Sequence, residues 1–138
     1  TIANGEAREP LTRRGAWFVE GNLDVRAMQA AAQALAGKKD FSAFSGPLEP
    51  ERTPVRTVFT AGWRCEGSTL LFDIEADAFL PQMVRRITGS LIRVGRGAET
   101  VEEIVRLLQQ AEPGSMAYVA PAHGLCLQRV WYDEGYTV

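Results

Sequence analysis

The stretch from Phe79 to Gly97 (FLPQMVRRITGSLIRVGRG) constrains the fold most, because it separates into two unlike sides when wound as an α-helix. At about 100° per residue one side is wholly apolar; it carries Leu80, Met83, Val84, Ile87, Leu91 and Val94. The opposite half holds four arginines and no acid; its members are Arg85, Arg86, Arg93 and Arg96, together with Gln82 and Gly89. An apolar stripe of this length has to be buried, so we expect this helix to pack on a sheet.

The arginines of this helix allow two interpretations. A solvated helix face usually mixes acids with Lys or Arg, because opposite charges four residues apart stabilise a helix slightly. Here the acids are absent. One interpretation is an ordinary arginine-rich surface. The other is a set of guanidinium groups reserved for an anionic partner, which would be a phosphate or a carboxylate elsewhere in the fold.

Before this helix the hydrophobic period is two, which predicts a β-hairpin that turns at Glu66-Gly67-Ser68. The first strand should turn one face to the core; that face comprises Val55, Thr57, Phe59, Ala61, Trp63 and Cys65. The second strand alternates apolar residues from Leu70 to Ala76 with polar ones; the acids among these are Asp73, Glu75 and Asp77. Acids at strand spacing are more typical of a solvated face than of a metal site.

The remaining elements follow from caps and breakers. Asp24 is expected to cap a helix that runs to Ala36 and ends at Gly37, with a loop from Lys38 to Gly46. Thr100 and Glu103 form a capping box for a helix through Gln110. Short strands are expected at Ala16–Glu20 and Gly124–Tyr132. The order predicts an α+β fold close to a split βαβ arrangement, with helices on one face of a mainly antiparallel sheet.

Composition narrows the function classes. The 138 residues are 46% apolar, enough for one domain, and a net charge of −2 argues against nucleic-acid binding by bulk charge but allows a local basic surface. Cys65 and Cys126 suit a reducing cytoplasm, and the single histidine, His123, argues against a metal site. No membrane segment is expected. The first residues, TIANG, read like the middle of a longer protein.

Five motifs in fixed order resemble the C-terminal half of TruA-type tRNA pseudouridine synthases. They are Leu23-Asp24 with Met28, Asp40-Phe41-Ser42-Ala43-Phe44, Arg56-Thr57-Val58, Met83-Val84-Arg85 followed by Gly89 and Gly95-x-Gly97, and Ala120-Pro121-x-x-Gly124-Leu125. The resemblance extends over nearly all of residues 1–138. It implies a C-terminal domain whose N-terminal half, with the catalytic aspartate, lies outside this chain.

The resemblance also implies an activity and roles for residues. Such enzymes isomerise uridine to pseudouridine in the anticodon stem–loop of tRNA, without a cofactor or metal. The nucleophile is an aspartate in a Gly-Arg-Thr-Asp run of the N-terminal half, and Arg85 matches the arginine that pairs with it. Leu125 matches an apolar residue of the uracil pocket, and Phe79 and Met83 are further substrate-binding candidates. The isolated chain is therefore expected to be inactive.

Phosphate contacts and partners follow more loosely from the same resemblance. The candidates for RNA contacts are Arg56, Arg64, Arg86, Arg93 and Arg96. The expected partners are tRNA, the N-terminal half and a second copy in a homodimer. One alternative is a non-catalytic RRM-like RNA-binding domain, which should expose aromatic residues on its central strands, whereas Phe59 and Trp63 are expected in the core. A purely structural or dimerising domain would leave Arg85 without a role.

Overall fold

The computed structural model describes residues 1–5 and 16–125. Within them lie five strands: β1 (Ile2–Gly5), β2 (Trp17–Glu20), β3 (Gly37–Asp40), β4 (Val55–Glu66) and β5 (Thr69–Ala76). The helices are α1 (Val25–Gln33), α2 (Met83–Gly95) and α3 (Val101–Gln110), with single 3-10 turns at Ser42–Phe44 and Ala122–Gly124. The strand expected at Gly124–Tyr132 falls almost entirely outside the described residues.

The strands form one sheet in the order β2-β1-β5-β4-β3, in which only the β1–β2 pair is parallel. One hydrophobic core joins this sheet to all three helices; it includes Ile2, Val19, Trp63 and Leu70 from the strands and Met28, Ile87 and Ile104 from the helices. The predicted α+β fold, a mainly antiparallel sheet with helices on one face, is confirmed.

Two strands were missed by the sequence pattern. The segment Gly37–Asp40, expected as the end of a helix and a loop, is strand β3 and pairs antiparallel with β4. Helix α1 accordingly ends at Gln33 instead of Ala36. Strand β1 was not predicted at all. The four residues of β3 include Gly and two lysines and have little β propensity of their own. The conformation of β3 therefore comes from its pairing with β4.

The predicted core face of β4 is wrong over its first half, because the strand contains a register shift between Val58 and Thr60, and it is wrong again at Cys65, which is exposed. Arg56 and Val58 are buried before the shift, and Trp63 is buried after it. Phe59, which lies at the shift, is 56% exposed. An extra residue in one strand interrupts the alternation of faces, so a strict period of two fails across the irregularity.

Helix α2 begins at Met83 instead of Phe79, because Gln82 adopts a left-handed conformation with φ of 58°. The two predicted caps are confirmed. The side-chain oxygens of Asp24 and Thr100 accept hydrogen bonds from the backbone N–H groups of Ala27 and Glu103, at 3.1 and 3.2 Å. Ser90 and Gly89 on α2 are also buried, although the sequence placed Gly89 on the arginine side. A second segment must therefore cover that side.

Candidate functional site

The arginine side of α2 is covered by residues 113–121, a segment without helix or strand that we call the strap. Main-chain carbonyls of the strap face the helix. The guanidinium of Arg85 donates to the carbonyl of Ala120, and that of Arg86 donates to the carbonyl of Met116. These arginines thus have a partner that neither interpretation of the sequence included, which is the backbone of their own chain.

Arg85 is half-buried and held from two directions. Its Nε donates to the Ala120 carbonyl at 2.7 Å, and the Ala120 N–H donates to the Arg85 carbonyl at 3.0 Å. No carboxylate of the described residues pairs with it. A carbonyl fixes a guanidinium without cancelling its charge, so no described residue neutralises Arg85 or occupies its two terminal nitrogens, which can bind an anion.

Arg86 is used mainly to hold the strap. Its Nη1 donates to the Met116 carbonyl at 2.8 Å and lies 3.5 Å from that of Gly114, while Nε and Nη2 contact the Gln82 side-chain oxygen. On its other side the strap donates from the N–H groups of Gly114 and Met116 to the carbonyls of Ser42 and Ala43. The first half of the strap is thus fixed on both sides.

Gly89 lies where the strap passes close to α2. A Cβ atom built on Gly89 would lie 2.1 Å from the main-chain oxygen of Tyr118, so only glycine fits without moving the strap. The sequence carries a signal for this close approach. Glycine is costly inside a helix, and Gly89 lies four residues from both Arg85 and Arg93 on one helical row.

The two remaining arginines of this helix region differ from each other. The guanidinium carbon of Arg93 lies 3.8 Å from the ring centroid of Tyr118, and its Nε lies 3.5 Å from a carboxylate oxygen of Glu99. Burial raises the pKa of Glu99, and the charge of Arg93 partly offsets this. Arg96 is exposed and forms no ion pair within the described ranges.

The apolar candidates for substrate contact occupy different environments. Leu125 follows the 3-10 turn after the strap and is 52% exposed, and Phe79 is also partly exposed. Met83, by contrast, is 1% exposed and packs in the core. Its burial does not fit direct contact with a substrate, because the apolar stripe of α2 directs it into the protein.

The two RNA-contact candidates outside α2, Arg56 and Arg64, both have partners within the chain. Arg56 is 8% exposed, and its Nη1 donates to the carbonyls of Thr53 and Val55 at 2.7 and 2.8 Å. Arg64 is exposed but lies 2.8 Å from carboxylate oxygens of both Asp73 and Glu66. The hydrogen bond and charge of Asp73 raise the pKa of Arg64, with a smaller contribution from Glu66.

The described residues line a sizeable cavity away from Arg85, and they offer no metal site. A cavity of about 490 Å³ lies between residues 42–54 and the start of the strap, and Arg86 and Gly114 are among its lining residues. Arg85 and Leu125 do not line it. In residues 1–5 and 16–125 no group of three or more His, Cys, Asp or Glu is placed to hold a metal ion. No helix in the same ranges is both long and apolar enough to cross a membrane.

Comparison with known proteins gives a consistent result. The family model described as tRNA pseudouridine synthase matches residues 31–133. The tRNA pseudouridine synthase A of Citrifermentans bemidjiense is 40% identical over 135 residues, which is 97% of this chain and 54% of that protein.

Two further relatives agree in name and in extent. The tRNA pseudouridine synthase A 2 of Clostridium perfringens is 37% identical over 132 residues, covering 96% of this chain and 54% of the relative. The tRNA pseudouridine synthase A of Shewanella amazonensis is 36% identical over 135 residues, covering 98% and 52%. The chain spans about half the length of the curated relatives it matches.

Proposed function

Because the chain belongs to the tRNA pseudouridine synthase family, we propose that it forms the C-terminal part of an enzyme that isomerises uridine to pseudouridine in the anticodon stem–loop of tRNA. The observation that carries this proposal is the state of Arg85, which a main-chain carbonyl fixes in place without neutralising it. In the reaction the C1′–N1 bond of the nucleoside breaks, a C1′–C5 bond forms, C5 loses its proton and N1 gains one. Atoms and electrons balance within the nucleoside, so the proposed reaction needs no cofactor.

The proposed role of Arg85 is to bind the catalytic aspartate supplied by the N-terminal half. An apolar pocket disfavours the charged form of a carboxyl group, whereas a nearby guanidinium favours it. The planar guanidinium also orients the carboxylate through paired hydrogen bonds. The terminal nitrogens of Arg85, which bond to no residue in the described part of the chain, suit this role.

Leu125 is proposed to contact the uracil ring. A base inside a stem or a stacked loop has to be turned out before an enzyme can reach it, and an apolar surface then replaces its stacking neighbours. The exposure of Leu125 supports this role, because an apolar side chain of a core would be covered. Phe79, which is also partly exposed, remains a second candidate for the same contact.

Contacts with the rest of the tRNA are proposed for Arg96, which is exposed, and then for Arg93, whose charge Glu99 partly offsets, whereas the guanidinium of Arg86 is used within its own chain. Phosphate contacts of this kind contribute affinity and register but little sequence choice. For the full-length protein we also propose a homodimer, carried over from the family resemblance, and a cytoplasmic location. The exposed free thiol of Cys65 suits a reducing compartment.

The test is tritium release from tRNA labelled at uracil C5, measured for the full-length protein and for residues 1–138 alone. We expect release by the full-length protein and none by the isolated chain, because the aspartate is supplied by the other half. Turnover by the isolated chain would contradict the assignment of the nucleophile. An inactive full-length protein would contradict the proposed reaction.

A second candidate, an RRM-like RNA-binding domain without catalysis, is favoured by one observation. Phe59 is exposed on a central strand, although the sequence pattern placed it in the core. Trp63, however, is buried, and its ring lies 4.9 Å from that of Phe72. A single exposed aromatic offers less stacking surface than such domains use. Binding of tRNA by the full-length protein without tritium release would favour this candidate.

A further inference from the structure

The strap contacts α2 at regular intervals. On the helix, Arg85, Gly89 and Arg93 lie in one row because they are four residues apart. On the strap, every second residue from 114 to 120 turns its main-chain oxygen or its ring to the helix; these residues are Gly114, Met116, Tyr118 and Ala120. Met116 and Ala120 are also buried. The strap is thus seated along its length, not only at its ends.

We propose that the strap positions Arg85 for the reaction, and that Gly89 and Arg86 are the positioning residues that seat it. The inference rests on the proposed function and adds to it two residues that act through Arg85. Neither needs to touch the substrate. Gly89 sets the distance between strap and helix, and Arg86 sets the place of the strap along the helix.

Gly89 acts by its lack of a side chain. The oxygen that a Cβ would meet belongs to the backbone of Tyr118, so no side-chain rotation relieves the contact and the strap itself must move. Ala120, whose carbonyl holds Nε of Arg85, is only two residues further along. A displacement of about 1 Å can lower the rate of a well-oriented reaction by roughly 10²-fold.

Arg86 acts by its hydrogen bonds. Its Nη1 donates to the Met116 carbonyl, while the Met116 N–H donates to the carbonyl of Ala43. The two bonds hold this strap residue from both sides. Removal of the guanidinium leaves only one of these two bonds. The strap can then shift, and the Ala120 carbonyl that holds Arg85 shifts with it. The effect on Arg85 should be smaller than that of Gly89→Ala, because no atom is forced into the strap.

The experiment compares Gly89→Ala with Gly95→Ala in the full-length enzyme. A Cβ on Gly95 would lie 2.5 Å from the Met28 sulfur, so this control introduces the same methyl group into the same helix, against a flexible side chain away from the strap. We expect Gly89→Ala to lower the single-turnover rate by about 10²-fold and to leave tRNA affinity within about threefold. Gly95→Ala should lower thermal stability and keep the rate within about threefold.

A double variant separates positioning from general damage. If Gly89 acts through Arg85, then Gly89→Ala should cost less than about threefold when Arg85 is already alanine, because coupled residues are not additive. An undiminished loss in that background would overturn the inference, as would a wild-type rate for Gly89→Ala alone. A wild-type enzyme without tritium release would instead overturn the proposed function itself.

If Gly89→Ala does not fold, Arg86→Gln tests the inference in its place. We expect a rate loss of about tenfold with tRNA affinity little changed, and partial recovery in Arg86→Lys, since an ammonium can still donate to the Met116 carbonyl. Arg106→Gln, which removes an exposed arginine from α3, controls for the loss of charge. Equal rates for Arg86→Gln and Arg106→Gln would overturn the inference.

Discussion

The strap side of α2 and the β4–β5 hairpin both carry arginines, but the two regions hold them differently. Arg85 and Arg86 donate to main-chain carbonyls, whereas Arg64 donates to the carboxylates of Asp73 and Glu66. A carbonyl restricts a guanidinium and leaves its net charge, while two carboxylates restrict it and offset the charge. The kind of partner, not the number of arginines, therefore decides where an anion can be bound.

Arg93 lies between these two cases. It stacks on the Tyr118 ring, which is neutral, and it also approaches the carboxylate of Glu99. The chain therefore leaves most charge available on Arg85, less on Arg93 and least on Arg64.

The largest expected effect is that of Arg85→Ala in the full-length enzyme. Loss of one fixed charged donor at a reacting centre costs about 10²–10³-fold in rate, so we expect that loss in the single-turnover rate and less than about threefold in tRNA affinity. Arg64→Ala, made in parallel, should change both quantities by less than about threefold, because surface ion pairs contribute little.

Two outcomes would contradict this order of the arginines. A collapse of tRNA affinity with an intact rate in Arg85→Ala would make Arg85 a phosphate contact. Equal losses in Arg85→Ala and Arg64→Ala would mean that the kind of hydrogen-bond partner does not decide which arginine is used.

The next effect concerns the apolar residue that each region exposes, Leu125 after the strap and Phe59 on the hairpin. We expect Leu125→Ala to lower the rate by about 10–10²-fold, the usual cost of lost apolar contact with a substrate, and Phe59→Ala to leave it nearly unchanged. Chemical denaturation should place both variants within about 1 kcal/mol of wild type, because both side chains are more than half exposed.

The opposite pattern would change the assignment of the two residues. A loss of about 2–5 kcal/mol in Leu125→Ala would indicate a core residue. A rate loss confined to Phe59→Ala would move the uracil contact to the hairpin.

The sequence correctly predicted the features that depend on local residue patterns. The apolar stripe of α2, the hairpin turn at Gly67 and the caps at Asp24 and Thr100 depend on neighbouring residues, and all are present. The register shift at Phe59 and the strand β3 depend on pairing across the sheet, which no local pattern encodes.

The candidate site was predicted only in part for the same reason. Arg85 was singled out by resemblance to a family, not by its helical position, since Arg86 and Arg93 lie on the same side. The strap contacts α2 across 28 to 35 residues of chain, and its carbonyls are backbone atoms that every residue has. Only Gly89 carried a readable signal, because a glycine inside a helix predicts a close approach.

The smallest expected effect concerns Glu99, the carboxylate that approaches Arg93. Burial raises its pKa above the ordinary 4.5 more than Arg93 lowers it, so the folded protein holds the proton more tightly than the unfolded chain. The contribution of Glu99 to the free energy of unfolding is then fully present below about pH 4.5 and is lost as pH rises through the raised pKa.

Glu99→Gln should remove this pH dependence in the full-length protein. Glutamine resembles the protonated acid, so we expect wild type and variant to be equally stable in acid and the variant to be slightly more stable at neutral pH, by less than about 1 kcal/mol. Denaturant unfolding between pH 4 and 7 measures this difference, with exposed Glu102→Gln as the control. A variant less stable than wild type at neutral pH would show that the Arg93 ion pair outweighs the cost of burial. Arg93 would then resemble Arg64, as an arginine whose charge is offset by an ion pair within the protein.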